Sequence, residues 1–298
     1  MKREPTPRRR AEDVAGPPAP TVLVPLDGSA SATAALPVAR TLAGLLRATL
    51  HVIHVAPQPI PEAEIPERLR LSPEQLHDAV VDTREGDPIP NILDVVAGQP
   101  SSTVLVLCTH TGADHAAGGL GRVAEALLLD APCPLLFVQP ERGMAPWVLH
   151  RALLPHDGTP TTAAAFHPAA DLARRADAEL VVLHAAAPGE ARPAEPGTYT
   201  APLYVDQPQH EWPSWAWEFL ERVGSLGRLP SGLKLRLFLA RGDPGSTIID
   251  FARRNPVDLI ILAWHGRREP ERALTVKTVL RQAPCPVLIQ RVREPAPR

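Results

Sequence analysis

A glycine-rich segment in the first half of the chain carries the residues best suited to binding an anion. Thr109-His110-Thr111-Gly112 comes first, and Gly118-Gly119-Leu120-Gly121-Arg122 follows. Glycines that lead into a helix offer unpaired backbone N–H groups, and such groups bind phosphate. The guanidinium group of Arg122 would add a bidentate contact. We therefore predict a phosphate site here, built from His110, Gly112, Gly118, Gly119, Gly121 and Arg122.

A second polar turn, Asp27-Gly28-Ser29, follows a short apolar run near the start of the chain. In open α/β sheets, ligands bind beyond the carboxyl ends of the strands, where the winding reverses direction. If the strand order is 3-2-1-4-5, this crevice lies between the first and fourth strands. The turn follows the first strand and the glycine-rich segment follows the fourth. Asp27 and Gly28 are therefore predicted to share one site with that segment.

Other chemistry-bearing patterns in the sequence are weaker. Gly119-x-Gly121-x-x-Ala124 matches a dinucleotide fingerprint, but that fingerprint must directly follow the first strand of a βαβ unit. The three cysteines have no zinc-binding spacing. His51 and His54 differ by an odd number on a predicted strand, so their side chains point to opposite faces. We expect no metal site, and no catalytic constellation follows from the order of residues.

The chain is built from two copies of one pattern, which decides the fold. Three motifs recur in the same order: Asp27-Gly28-Ser29 as Asp157-Gly158-Thr159, Gly86-Asp87-Pro88 as Gly242-Asp243-Pro244, and Ala131-Pro132-Cys133-Pro134 as Ala283-Pro284-Cys285-Pro286. The offset between copies changes from 130 to 156 to 152 residues. A constant order with a drifting offset indicates duplication followed by changes in loop length.

Each copy alternates short apolar runs with helical patterns. In the first copy we predict strands at 21–26, 49–55, 79–83, 103–108 and 134–138, and helices at 31–47, 88–97 and 122–130. Alternating β and α elements predict an α/β fold with two tandem, doubly wound, Rossmann-like domains. Each domain should have five mostly parallel strands in the order 3-2-1-4-5. Pro37 and Pro168 fall inside the first helix of each copy, so a kink or a late start is expected there.

These motifs resemble those of a known family. Universal stress proteins of the nucleotide-binding kind carry an aspartate after the first strand, and Ala-Pro-Cys-Pro before the last. After the fourth strand they carry Gly-x-x-Gly, nine residues, and Gly-Ser or Gly-Thr. The chain resembles a two-domain member, whose fold is adenine nucleotide alpha hydrolase-like. The resemblance implies that ATP or another adenine nucleotide is the ligand. It assigns Asp27 to the adenosine and the backbone of Val55 to adenine, with Asp157 and Ala185 at the matching positions.

Neither copy keeps the complete phosphate motif of the family. In the first copy the motif aligns as Cys108-Thr-His-Thr111, nine residues, and Gly121-Arg122, with its spacing intact. Two glycines and the terminal hydroxyl are replaced there. In the second copy it aligns as Ala263-Trp-His-Gly266, six residues, and Ala273-Leu274. We therefore expect ATP binding to be degenerate, weak or lost, and any bound nucleotide to lie in the first copy.

The predicted domains extend over residues 21–140 and 148–292, after a disordered arm at residues 1–20 that lacks the apolar middle of a secretory signal. The second domain contains an aromatic insertion at about 188–220. Trp212, Trp215 and Phe219 have helix-like spacing there, which favours packing onto the second domain. A lid or a partner-binding surface is the alternative. The apolar last strands, 134–138 and 286–289, should pair within the chain as a pseudo-dimer, and a homodimer of chains is a further possibility.

Composition and resemblance together favour a binding protein. A net charge of −2 over 298 residues gives no electrostatic basis for binding nucleic acid or an anionic membrane. No apolar stretch approaches the ~20 residues that span a bilayer. We expect a cytoplasmic stress-response regulator that is not an enzyme. The alternatives are a slow ATPase or phosphotransfer enzyme that uses the first crevice, and a purely structural interaction module.

Overall fold

The computed structural model describes residues 19–58, 60–99, 101–109, 120–186, 231–264 and 270–292. The strands are β1 (Thr21–Pro25), β2 (Thr49–Ala56), β3 (Ala79–Glu85), β4 (Thr103–Cys108), β5 (Leu135–Val138), β6 (Arg151–His156), β7 (Glu179–Ala186), β8 (Lys234–Arg241), β9 (Leu259–Trp264) and β10 (Val287–Arg291). The helices are α1 (Ala35–Leu46), α2 (Ile65–Leu69), α3 (Pro73–Leu76), α4 (Pro88–Gly98), α5 (Arg122–Asp130), α6 (Pro160–Ala164), α7 (Phe166–Arg175), α8 (Pro244–Arg254) and α9 (Pro270–Gln282).

The strands form one sheet in the order β3-β2-β1-β4-β5-β10-β9-β6-β7-β8. Within each half all neighbouring strands are parallel, and the order is 3-2-1-4-5 in both. The α/β fold class and the strand order predicted from the sequence are confirmed. The two halves meet where β5 pairs with β10 in antiparallel fashion, with Leu136 opposite Leu288. This junction, the seam, joins the last strands as their apolar sequences suggested.

Side chains that alternate along the strands pack into two hydrophobic cores, one on each face of the sheet. On β1, Val22 and Val24 belong to the core that also includes α1 and α7. Leu23 belongs to the opposite core, together with buried residues of α4, α5, α8 and α9. Each core contains residues of both halves, so the packing continues across the seam. Among the described ranges, no helix is long and apolar enough to cross a membrane.

The first long helix of each half starts late, as the two prolines predicted. Pro37 is the third residue of α1, which follows a short 3-10 turn at Ala32–Ala34. Pro168 is the third residue of α7, which follows the separate short helix α6. The N–H groups in the first turn of a helix have no intrahelical acceptor, so proline costs little there.

Polar contacts fasten the two halves beside the apolar seam. Trp147, in the segment between the halves, is buried, and its carbonyl oxygen accepts a hydrogen bond from Thr41 Oγ1 at 2.8 Å. Its Nε1–H donates to the carbonyl oxygen of Asp258 at 3.0 Å. At the end of β10, Arg291 Nη2 donates to the carbonyl oxygen of Leu128 in α5 at 2.5 Å. Burial lowers the pKa of Arg291. Hydrogen bonds therefore connect the two halves in addition to the strand pairing at the seam.

Candidate functional site

The first crevice lies beyond the carboxyl ends of β1 and β4, which are neighbours in the sheet. The turn after β1 is fixed by Asp27, whose Oδ1 accepts the N–H of Ser29 at 2.8 Å. Gly28 has a φ of +83°, and a Cβ there would lie 2.5 Å from the carbonyl oxygen of Arg68. Only glycine fits this conformation and this close approach. The sequence thus forces the backbone to turn tightly and leaves the Asp27 side chain exposed.

The end of β2 lies beside the end of β1, on the side away from β4. The carbonyl oxygen of Ile53 accepts the N–H of Leu26 at 2.9 Å, so the peptide groups of Ile53 face β1. Peptide groups alternate in direction along a strand, so those of Val55 face the same side, beyond Pro25, the last residue of β1. Ala56 faces the other way, and its carbonyl oxygen accepts the N–H of Gly86 at 3.0 Å. This orientation supports a backbone contact at Val55, which stays a prediction.

The start of α5 forms the other side of the first crevice. The N–H of Gly121 donates to the carbonyl oxygen of Thr109 at 2.9 Å, so it is engaged within the protein. The first-turn N–H groups, from Arg122 to Ala124, have no intrahelical acceptor and point out of the helix end. Gly121 caps α5 without a side-chain hydrogen bond. The predicted site residues His110, Gly112, Gly118 and Gly119 lie outside the described residues.

Asp87 is a residue of this region that the sequence analysis missed. It caps α4, where its Oδ1 accepts the N–H of Ile89 at 2.9 Å. Its Oδ2 lies 3.4 Å from Nη1 of Arg122, and the two side chains are 49% and 64% exposed. The sequence contained a signal, because Gly86-Asp87-Pro88 recurs in the second copy.

A shallow cavity of about 220 Å³ opens beside Val55, at the ends of β2 and β3. Its lining combines apolar, amide and charged side chains: Ala56, Gln58, Ile60, Thr83, Arg84 and Glu85. Arg84 is held by ion pairs with Asp82 at 3.2 Å and Asp94 at 2.9 Å. The cavity adjoins the predicted adenine position but lies on the side of β2 away from β1.

The second crevice, beyond β6 and β9, differs from the first at matching positions. Asp157 Oδ1 accepts hydrogen bonds from the N–H of Thr159 at 3.0 Å, from Thr159 Oγ1 at 2.6 Å and from Thr162 Oγ1 at 2.8 Å. Trp264 ends β9 as a buried residue. Leu274, which aligns with Arg122 in sequence, is 65% exposed. It is the fifth residue of α9, whereas Arg122 is the first residue of α5. An apolar side chain therefore stands at the aligned position of the cation.

Two buried histidines lie at the carboxyl ends of β6 and β7, next to the turn that contains Asp157. His156 Nδ1 accepts the N–H of Gly158 at 2.8 Å, which requires an unprotonated nitrogen. Burial lowers the pKa of His156 to about 4. His184 lies opposite His156 in the register of β7 and β6, and burial lowers its pKa as well. Both rings are therefore neutral near pH 7.

Nucleophilic or metal chemistry has little support among the described residues. Burial raises the pKa of Cys108 to about 12, of Cys133 to about 11 and of Cys285 to about 12. These thiols are protonated at neutral pH and are poor nucleophiles. Within the described ranges, no group of three or more His, Cys, Asp or Glu residues could hold a metal ion.

The repeated domain pattern has a match among known families. The sequence profile of the Universal stress protein family matches residues 19–139 and again residues 149–291. The chain belongs to the universal stress protein family. Two successive matches make it a tandem universal stress protein, in agreement with the resemblance and with the repeated 3-2-1-4-5 sheet.

Relatives of this universal stress protein support the assignment. A universal stress protein of Methanocaldococcus jannaschii is 27% identical over 146 residues, which are 47% of this chain and 80% of that protein. The crystal structure of a universal stress protein from Archaeoglobus fulgidus has a TM-score of 0.61 at 16% identity, covering 92% of this chain and 97% of that chain. A functionally unknown protein from Pseudomonas aeruginosa has a TM-score of 0.65 at 16% identity, covering 92% of each chain. At these identities the solved structures show the fold alone.

Proposed function

We propose that this tandem universal stress protein is a non-catalytic stress-response regulator that binds an adenine nucleotide weakly in its first crevice. The observation that carries the proposal is the difference between the two crevices at matching positions. The first has an exposed cation, Arg122, where the second has the apolar Leu274. We propose a cytoplasmic location, which rests on the sequence alone.

The chemistry of the first crevice suits a nucleotide. Asp27 offers a carboxylate to a ribose hydroxyl, and Val55 directs its peptide groups to the same side. The first-turn N–H groups of α5 and the guanidinium of Arg122 would bind phosphate oxygens. Cys108 and Thr111 replace two glycines of the family motif, and their Cβ atoms leave less room for the phosphates. This substitution supports weak binding.

The second crevice is less suited to the same ligand. Asp157 already accepts three hydrogen bonds from its own turn, and a ribose hydroxyl would have to compete with them. The α9 helix begins at Pro270, which has no N–H to donate. We therefore place the nucleotide in the first half and assign the second half a structural or interaction role.

The first test is isothermal titration calorimetry with ATP. We expect Arg122→Glu to weaken binding by about tenfold or more, because a charge-assisted contact is replaced by repulsion. Leu274→Glu, at the matching position of the second half, is the control and should bind like the wild type. Binding that survives Arg122→Glu and is lost in Asp157→Ala would place the nucleotide in the second crevice and contradict the proposal.

The alternative functions give different results in a second measurement. Native mass spectrometry of the protein mixed with ATP should detect the bound nucleotide if the proposal holds. A slow ATPase would also release phosphate over time, and it needs a carboxylate to hold a metal ion near Gly121. Asp87 is a carboxylate in that region, but its oxygens contact Arg122 and the Ile89 N–H. A purely structural module would carry no nucleotide.

A further inference from the structure

Two oppositely charged side chains meet at neighbouring helix ends beside the first crevice. Asp87 caps α4 and Arg122 is the first residue of α5, and the two helices pack into the same core through Ile92, Val96 and Leu127. The Arg122 guanidinium that would bind phosphate lies 3.4 Å from the Asp87 carboxylate. A nucleotide phosphate and Asp87 therefore compete for one cation.

The position of Arg122 is unfavourable for the helix itself. The N-terminal end of a helix carries partial positive charge, so a cation there is repelled by the helix dipole. Asp87 has the opposite relation to α4, because its carboxylate is attracted to that helix end and accepts the Ile89 N–H. Asp87 thus neutralises a cation that α5 does not stabilise. Both side chains are about half exposed or more, so the pair is weak enough to exchange with a ligand.

We propose that Asp87 is a specificity-determining residue of the first crevice, which selects against highly charged nucleotides. This inference rests on the proposed nucleotide site. Asp87 forms an ion pair with Arg122 when no nucleotide is bound. The negative charge of Asp87 also repels each added phosphate. The penalty grows with ligand charge, so it is largest for ATP, smaller for AMP and absent for adenosine. The crevice consequently favours adenosine ligands that carry few phosphates.

The decisive variant is Asp87→Asn, which removes the charge and keeps the cap. The amide oxygen of asparagine can accept the Ile89 N–H, because asparagine caps helices as well as aspartate does. Calorimetry with ATP, AMP and adenosine at low salt should show an affinity gain of about two- to fivefold for ATP, the size expected from a surface charge pair. The gain should be smaller for AMP, nil for adenosine, and reduced at high salt.

The matched control is Asp243→Asn in the second half. Asp243 caps α8, where its Oδ1 accepts the N–H of Ser246 at 2.8 Å, and Leu274 stands where Arg122 would be. This variant should leave all three affinities unchanged. Thermal melts of both variants check the fold, and Asp87→Ser, which also caps helices, replaces Asp87→Asn if the latter is unstable.

The outcomes separate this inference from the proposed function. If ATP binds and Arg122→Glu weakens binding as expected, but Asp87→Asn gains nothing, the role of Asp87 is refuted and the nucleotide site stands. An equal gain for ATP and adenosine would also refute it, because the effect would then not be electrostatic. If neither the wild type nor Asp87→Asn binds any of the three ligands, both the inference and the proposed function fail.

Discussion

Replacement of His156 by leucine is expected to flatten the decline in stability that this protein undergoes as the pH falls from 6.5 towards 4. Burial lowers the pKa of His156 from 6.5 to about 4, so the folded state binds its proton later than the unfolded state. Below pH 6.5 the unfolded chain takes up the proton first, and the free energy of unfolding falls. The loss reaches about 3 kcal/mol at pH 4 for a shift of this size.

Leucine is the informative replacement because the first half carries Leu26 at the matching position, where it is buried. His156→Leu leaves the Gly158 N–H without its acceptor, so a constant cost of about 1–3 kcal/mol is expected at neutral pH. The measurement is urea denaturation at a series of pH values. His150→Gln, at an exposed position, should keep the wild-type slope. A variant slope equal to the wild-type slope between pH 6.5 and 4 would show that His156 is not the responsible group.

Truncation of Phe137 to alanine should destabilise the protein by about 3–5 kcal/mol, which is the usual cost of removing a fully buried aromatic ring. Phe137 is completely buried on β5 and lies opposite Val287 of β10, so it fills the core at the seam. Its removal leaves a cavity that both halves border. This loss is a large share of the ~5–15 kcal/mol by which domains are stable.

Equilibrium denaturation with guanidinium chloride measures this effect. Val80→Ala on the edge strand β3 is the control, because Val80 is 54% exposed and should cost less than about 0.5 kcal/mol. If Phe137→Ala loses no more stability than Val80→Ala, the seam does not contribute to the stability of the fold.

Sequence patterns predicted the buried elements well and the exposed ones less well. The bounds of β4 agree, because the apolar run stops at a polar residue, Thr109. The β3 strand runs two residues further than expected, to Glu85. It is an edge strand, and its Asp, Thr, Arg and Glu residues do not form the apolar run typical of a central strand. The short helices α2 and α3 were not predicted, because four or five residues show no helical period.

The sequence predicted those residues of the candidate site that directly follow a strand. Asp27 and Val55 lie at strand ends, which the strand order alone brings together. The contact between Asp87 and Arg122 joins residues on different helices, and the pairing of His156 with His184 depends on strand register. No local pattern reports such contacts. The domain bounds, the arm at 1–20 and the site residues as a set stay predictions, and Trp212, Trp215 and Phe219 lie outside the described residues.

The seam has a consequence for how the two crevices could diverge. In a homodimer every substitution appears in both subunits, so a change that fills one crevice fills the other. Here β5 and β10 belong to one covalent chain, and their association does not depend on protein concentration. One half can then carry Arg122 while the other carries Leu274 and the threonine network around Asp157. Covalent linkage thus allows the two crevices to have different residues and different roles, which a symmetric homodimer does not allow.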